Sequence, residues 1–140
     1  MRENKFRGKV IGKQEELEAM GVIDKNGWAT GNLIQNEQHT MIVGDLLEFD
    51  DEDMMCDWWV PVIPESVGQY TRMKDMDREV IYEGDIGYNY HEEVHGLVKF
   101  DEGGFVYDWG NVSEDLFEVA DEIEIVGNVT DNPELLEVNK

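Results

Sequence analysis

Residues 91–95 read His-Glu-Glu-Val-His, which matches the H-E-x-x-H pattern of zinc proteases. That chemistry needs both histidines on one face of a helix, with the glutamate as general base. The flanking residues are typical of strands instead, and positions four apart in a strand lie about 13 Å apart. Because one zinc ion cannot reach both side chains over that distance, we predict a polar hairpin turn and no metal. His91 and His95 are candidate ligands only for a remote alternative, a metalloenzyme.

A second acidic pattern is typical of calcium-binding loops. Asp75, Asp77 and Glu79 occupy positions 1, 3 and 5 of an EF-hand loop. The loop needs a glycine where Val80 stands, and a bidentate glutamate where Ile86 stands. We therefore predict a polar turn here and no calcium.

The chain has one cysteine, Cys56, in an apolar segment beside Trp58, where we expect an inert buried thiol. A single cysteine excludes an internal disulfide and a cysteine-rich zinc site. No nucleophile-elbow, dinucleotide-binding or Walker motif is present. We therefore predict no catalytic residue, no cofactor and no enzymatic activity.

Acidic residues outnumber basic ones by 33 to 11 over 140 residues, which gives a net charge of −22. This charge disfavours direct binding to nucleic acid, because neutralising phosphates needs clustered lysine and arginine. It also disfavours adsorption to an anionic membrane. No apolar run approaches the roughly 20 residues of a spanning helix, and no apolar stretch follows the N-terminus as in a signal peptide. We expect a cytoplasmic protein with no nucleic-acid or membrane partner.

Charge is distributed unevenly along the chain. Residues 1–13 carry five basic and one acidic side chain, a net of +4, whereas the rest of the chain carries −26. The basic segment either meets the acidic body of its own or a neighbouring copy, or is a basic first strand with no partner. Two adjacent tryptophans point to opposite faces of a strand, so one is a candidate interface anchor, or each is buried in its own layer. We expect a homo-oligomer. The candidate interaction residues are Arg2, Lys5, Arg7, Lys9, Trp58 and Trp59.

Short apolar–polar segments separated by turn residues favour a mainly β fold. A short helix is predicted over residues 14–20 and ends at Gly21. A second helix is predicted to begin at Asn111, with Glu114 as the reciprocal capping residue. The acidic run at residues 48–53 is predicted to be a solvated loop. The predicted strands cover residues 5–10, 28–35, 40–43, 55–60, 80–82, 86–90, 94–100, 105–109 and 123–129.

Two β-rich parts are expected within this length. Residues 1–61 form a smaller N-terminal β unit with the basic segment, and residues 62–140 have the strand count of a small barrel. Prolines at positions 61 and 64 mark the boundary.

Several segments resemble the YopX family of phage and prophage proteins. The most specific are Gly68-Gln69-Tyr70-Thr71 and Ile81-Tyr82-Glu83-Gly84-Asp85. The resemblance implies a phage-encoded protein in a bacterial host, with a C-terminal part similar to an SH3-type β-barrel and no established activity. Gly68 and Gly84 are expected to permit tight turns. Weaker matches lie at residues 5–9, 31–35, 62–67, 96–100, 123–128 and 132–136.

Three functions are open at this point. The expected one is a non-enzymatic accessory protein that self-associates or binds a host or phage protein. The alternative is an acidic mimic of nucleic acid that blocks a host DNA- or RNA-binding protein, since a strongly negative surface competes for basic grooves. The remote alternative is the H-E-x-x-H metalloenzyme.

Overall fold

The structure is a computed structural model, and the residues that it describes are 5–12, 15–44, 46–49, 54–56 and 58–139. The backbone alone is described at residues 46–49, 54–56 and 138–139. The chain divides into two compact units, Met1–Gln69 and Tyr70–Lys140, called here the first and second unit. Strands dominate both, which confirms the prediction of a mainly β protein.

The first unit is an antiparallel β structure whose described residues include a short α-helix and a short 3-10 helix, Pro64–Ser66. Its elements are β1 (Phe6–Lys9), α1 (Glu15–Ala19), β2 (Trp28–Gln35), β3 (Thr40–Val43), β4 (Leu46–Phe49), β5 (Met54–Cys56), β6 (Trp59–Pro61) and the start of β7 (Gly68–Lys74). The sheet has the order β6-β3-β2-β1, and the start of β7 pairs with β1. A separate hairpin joins β4 and β5. The bounds of β2 and β3 are those predicted from the sequence.

A tight turn starts β2 and fixes the register of the first sheet. The carboxylate of Asp24 accepts the backbone N–H groups of Asn26 at 2.8 Å and Trp28 at 3.0 Å. Gly27 lies between them with φ of +87°, a conformation that L side chains disfavour. The core of this unit consists of Val10, Val22, Ile23, Ala29, Ile42, Val60 and Val62.

The second unit is built on a five-stranded antiparallel sheet. Its elements after β7 are β8 (Val80–Tyr82), β9 (Asp85–Asn89), β10 (Val94–Asp101), β11 (Gly104–Trp109), β12 (Val112–Asp115), α2 (Leu116–Val119), β13 (Ile123–Asn128) and a terminal 3-10 helix (Pro133–Asn139). The sheet order is β12-β11-β10-β9-β13, and β8 pairs with β7. Among the described residues these pairings form an open row, and no closed barrel is present.

In the core of the second unit, a buried tyrosine packs against two glycines. Gly87 and Gly96 are paired on adjacent strands, and the fully buried ring of Tyr107 lies against both. A Cβ atom added at Gly96 would lie 2.4 Å from the Cζ atom of Tyr107. The Tyr107 hydroxyl lies near the Gly96 backbone and has no hydrogen-bond partner among the described residues. Burial raises the pKa of Tyr107.

A buried carboxylate organises the turn between β7 and β8. Asp75 is 2% exposed, and it accepts backbone N–H groups from Asp77 at 2.8 Å, Glu79 at 2.9 Å and Ile125 at 2.8 Å. The calcium-like pattern is therefore a polar turn held by backbone donors. Arg78 adopts φ of +67° there, a left-handed conformation that is uncommon for residues other than glycine.

The two family-like glycines have different roles. Gly84 adopts φ of +93°, and the carboxylate of Asp85 accepts the N–H of Tyr82 at 2.8 Å, so this segment is a tight turn as expected. Gly68 does not adopt a positive φ. It is the first residue of β7 and pairs with Arg7 of β1. The expected turn at Gly68 is therefore wrong.

Three further expectations about local structure need correction. The predicted helix at Asn111 is wrong, because residues 112–115 pair with β11 as β12. The helix begins after them, where Asp115 is the N-cap and accepts the N–H of Phe117 at 3.0 Å. The predicted strand at residues 55–60 is divided between β5 and β6. The acidic run begins inside β4, and residues 50–53 and the side chain of Cys56 lie outside what the structure describes.

Candidate functional site

The H-E-x-x-H segment forms a hairpin turn between β9 and β10. The side-chain oxygen of Asn89 accepts the N–H groups of His91 at 2.9 Å and Glu92 at 3.1 Å. His91 is exposed in the turn, whereas His95 lies in β10 opposite Tyr88. The helical arrangement that a zinc protease needs is not formed by this segment. Within the described ranges, no three metal-ligating side chains are grouped.

The structure places His95 in a different group, a row of side chains across three strands. Tyr88 of β9 is paired with His95 of β10 on one side and with Glu124 of β13 on the other. The Tyr88 and His95 rings meet edge-on, with centroids 4.9 Å apart. Side chains alternate along a strand, so this row lies on the face opposite Gly87 and its partner glycine, which pack under the core tyrosine.

Tyr90, just beyond the end of β9, completes this group. Its ring packs edge-on against Tyr88 with centroids 4.8 Å apart, and its hydroxyl donates to Oε1 of Glu124 at 3.1 Å. We call Tyr88, Tyr90, His95 and Glu124 the aromatic–carboxylate cluster. Sequence analysis missed it, although the alternation of Tyr88 and Tyr90 before the turn is a signal for a shared face.

The electrostatic surroundings of Tyr90 are negative. The hydrogen bond to Glu124, the negative charge of Glu124 and that of Asp77 raise the pKa of Tyr90. Tyr90 is 56% exposed, and the raised pKa keeps its hydroxyl a proton donor. The cluster can therefore offer a ring face and a carboxylate to a ligand.

Acidic residues dominate the second unit well beyond this cluster. Residues 79–139 contain seventeen acidic side chains and one basic side chain, Lys99. That lysine pairs with Asp108 at 3.0 Å. Of the seventeen carboxylates, the structure buries Asp85 and leaves the other sixteen exposed or half-buried. The surface of this segment is thus strongly negative.

The described part of the predicted basic segment contains β1, which lies between two other strands of the first sheet. Lys5 precedes β1, and Arg7 and Lys9 lie within it between β2 and β7. The Arg7 guanidinium lies 4.8 Å and the Lys9 ammonium 5.7 Å from the centre of the Trp28 ring, which is buried. Sequence analysis missed Trp28 as the group that joins these cations. Arg2 lies outside the described residues.

The two predicted tryptophan anchors differ in exposure. Trp58 packs against the core of the first unit and fills the space beside Gly44. Trp59 is 63% exposed on β6, the edge strand of its sheet. Trp58 is thus half-buried, and Trp59 is the side chain of the pair that solvent reaches.

Comparison with known proteins gives one family and one fold. The family model described as YopX protein matches residues 5–137. The chain is similar to the crystal structure of protein EF1440 from Enterococcus faecalis, with a TM-score of 0.61 and 17% identity over 97% of this chain and 99% of that one. At that identity the likeness shows a shared fold alone. No curated protein is significantly similar to the chain. None of the helices in the described residues is long and apolar enough to cross a membrane.

Proposed function

The chain belongs to the YopX family, and we propose that it acts as a non-enzymatic factor that binds a basic protein partner through the surface of its second unit. The observation that carries the proposal is the charge of residues 79–139, which contain seventeen acidic residues and one lysine. That lysine is already paired with Asp108. A surface of one sign attracts partners of the opposite sign and speeds their association.

Exposed apolar side chains within the acidic surface support a protein partner. Phe117 is 78% exposed, Tyr90 56% and Phe100 51%. Aromatic residues of this kind supply most of the binding energy in protein interfaces, whereas charge supplies rate and orientation. The combination suits a folded basic protein better than a small ion.

Family membership also bears on where the protein acts. We propose a phage or prophage accessory protein in the cytoplasm of a bacterial host, in keeping with the phage and prophage proteins that this chain resembles.

Capture from a bacterial lysate, followed by binding of the purified partner, tests the proposal. One variant changes Glu92, Glu118, Glu122 and Glu134 of the second unit to glutamine. All four residues are exposed. We expect its dissociation constant for the purified partner to rise at least about tenfold at low salt. Attraction between opposite charges is least screened there, so the loss of four carboxylates has its largest effect.

A matched variant of the first unit is the control. It changes Glu15, Glu16, Glu18 and Glu37 to glutamine, which are exposed as well. Both variants change the net charge from −22 to −18, since each loses four acidic groups. Equal losses in the two variants, or no partner that rebinds in purified form, would contradict the proposal.

Mimicry of nucleic acid is a second candidate, favoured by the same excess of carboxylates over residues 79–139. In that case the purified partner is a DNA- or RNA-binding protein, and free duplex or RNA displaces this chain from it. A partner that nucleic acid does not displace excludes mimicry and leaves the binding function intact.

We also propose self-association through Trp59, which is exposed on the edge strand β6. Edge strands and exposed tryptophans are common contact points between copies. Light scattering should give a mass above that of the monomer, and Trp59→Ser should return it to the monomer mass. A monomer mass for the unaltered chain at high concentration would rule this out.

A further inference from the structure

The aromatic–carboxylate cluster presents a fixed aromatic surface to solvent. Tyr90 is 56% exposed, and its ring meets that of Tyr88 at an interplanar angle of 83°. Tyr88 packs in turn against His95 at 4.9 Å. A ring held along one edge loses little conformational freedom when a ligand covers its face. Tyr90 is therefore a preorganised platform.

A carboxylate oxygen stands next to this platform. The Tyr90 hydroxyl donates to Oε1 of Glu124 at 3.1 Å. The carboxylate of Glu124 makes no further hydrogen bond or ion pair with residues in the described part of the chain. Its second oxygen, Oε2, is therefore available as an acceptor beside an aromatic face. These are the two groups that a planar cation needs.

The chain does not supply that cation in the surroundings of the cluster. The charges that act on Tyr90 belong to Glu124 and Asp77, and both are negative. No lysine or arginine among the described residues makes a cation–π contact with Tyr88 or Tyr90. The lysine of this segment, at position 99, pairs with Asp108. In the described part of the chain, no lysine or arginine therefore provides the complementary charge over the Tyr90 ring.

We propose that the aromatic–carboxylate cluster binds an arginine side chain of the basic partner. The guanidinium lies over the face of Tyr90 and donates to Oε2 of Glu124. This inference rests on the proposed function, because it names the contact by which the acidic surface recognises its partner. Arginine fits better than lysine, since its planar group stacks on an aromatic ring and donates in the same plane.

Model peptides test the contact directly. The probe is an acetylated and amidated peptide with four arginines separated by glycine and serine, compared with otherwise identical lysine and citrulline peptides. At low salt we expect the arginine peptide to shift the ring signals of Tyr88 and Tyr90 in NMR spectra. Bound positive charge should also lower the pKa of Tyr90 from its raised value. The lysine peptide should bind more weakly, and the neutral citrulline peptide should leave these signals unchanged.

Variants assign the binding to the cluster. Tyr90→Leu and Glu124→Gln should each weaken the arginine peptide by about threefold to tenfold, the range for a partly exposed cation–π contact. Tyr90→Phe keeps the ring and should lose less. Met20→Ala changes a side chain of the first unit that is 72% exposed and has no part in the cluster, and this variant should bind as the unaltered chain does.

The outcomes separate this inference from the proposed function. If the arginine peptide binds, and the four-glutamine variant of the second unit weakens it while Tyr90→Leu and Glu124→Gln do not, the cluster is wrong and the acidic surface stands. If no cationic peptide binds at low salt, the cluster proposal fails. Binding of the purified partner to the two four-glutamine variants then tests the proposed function independently. Equal binding of arginine and citrulline peptides would also overturn the role given to charge.

Discussion

The two units differ in how they match aromatic rings with charge. In the first unit, Arg7 and Lys9 of β1 place their cationic groups over the buried ring of Trp28. In the second unit, the exposed ring of Tyr90 meets the carboxylate of Glu124. The first unit thus contains a cation–π arrangement within its own sheet, whereas no lysine or arginine among the described residues makes such a contact with Tyr90.

The charge of each unit follows the same division. The first unit contains six basic and fourteen acidic residues, a net of −8, and three of its cations occur at positions 5, 7 and 9. The second contains five basic and nineteen acidic residues, a net of −14, and all but two of its basic residues lie before position 79. The excess of acidic over basic residues is thus larger in the second unit than in the first.

The largest expected effect concerns the core that supports the cluster. Gly96→Ala places a methyl group 2.4 Å from the Tyr107 ring atom Cζ, and the ring is fully buried and cannot move aside. We expect a loss of about 3 kcal/mol in the stability of the second unit, as for severe overpacking. Urea unfolding followed by NMR signals of each unit measures it.

Gly104→Ala is the control, because a Cβ atom at Gly104 has no neighbour within 4 Å. It should change stability by less than about 0.5 kcal/mol. A loss at Gly96 as small as that at Gly104 would show that the core tyrosine does not sit on the paired glycines.

The next largest expected effect is the loss of stability when a buried polar side chain is changed, which we compare between the two units. Asp75 accepts three backbone N–H groups in the second unit, whereas Ser66 in the first accepts that of Lys9 at 2.8 Å. Asp75→Asn replaces one carboxylate oxygen by an N–H donor that faces another donor. We expect it to cost about 2–3 kcal/mol, against about 1 kcal/mol for Ser66→Ala.

Asp77→Asn is the matched control for this comparison, because Asp77 is exposed in the same turn. Urea unfolding should show almost no change for it. If Asp75→Asn is equally mild, the buried carboxylate does not organise the turn as the hydrogen bonds indicate.

A smaller effect is expected where the first unit makes its own cation–π contact. Arg7→Met keeps most of the side chain's length and apolar surface and removes the charge over Trp28. We expect a loss of about 1 kcal/mol in the stability of the first unit. Lys25→Met removes an exposed charge from the turn before β2 and should change stability far less. Equal losses would mean that net charge, rather than the contact with the ring, is responsible.

The sequence predicts local elements well where turn residues bound them. The strand at residues 28–35 follows an Asn-Gly turn and was predicted with its observed bounds. The second helix was placed too early, because residues 112–115 pair with β11 and only then can Asp115 act as the cap. That pairing depends on contacts across the sheet, which local propensity does not contain.

The candidate cluster was harder to predict than the strands that carry it. The sequence marks Tyr88, Tyr90 and His95 as residues near one turn, but it drew attention to His95 as a metal ligand. Glu124 joins them because it pairs with Tyr88 where β13 lies beside β9. This pairing joins residues that are far apart in the sequence, and no local pattern reports it.

The smallest expected effect concerns the contact between Tyr90 and Glu124 in the second unit. Its hydrogen bond to Glu124 and that residue's negative charge raise the pKa of Tyr90, because both disfavour the phenolate. Glu124→Gln removes the charge, so the pKa of Tyr90 should fall toward the ordinary value of a tyrosine. NMR ring signals followed through alkaline pH measure this change. Glu122→Gln, an exposed neighbour in sequence, should leave the pKa of Tyr90 in place. If both variants behave alike, Tyr90 and Glu124 are not joined in solution, and the second unit has no preformed place for a cation.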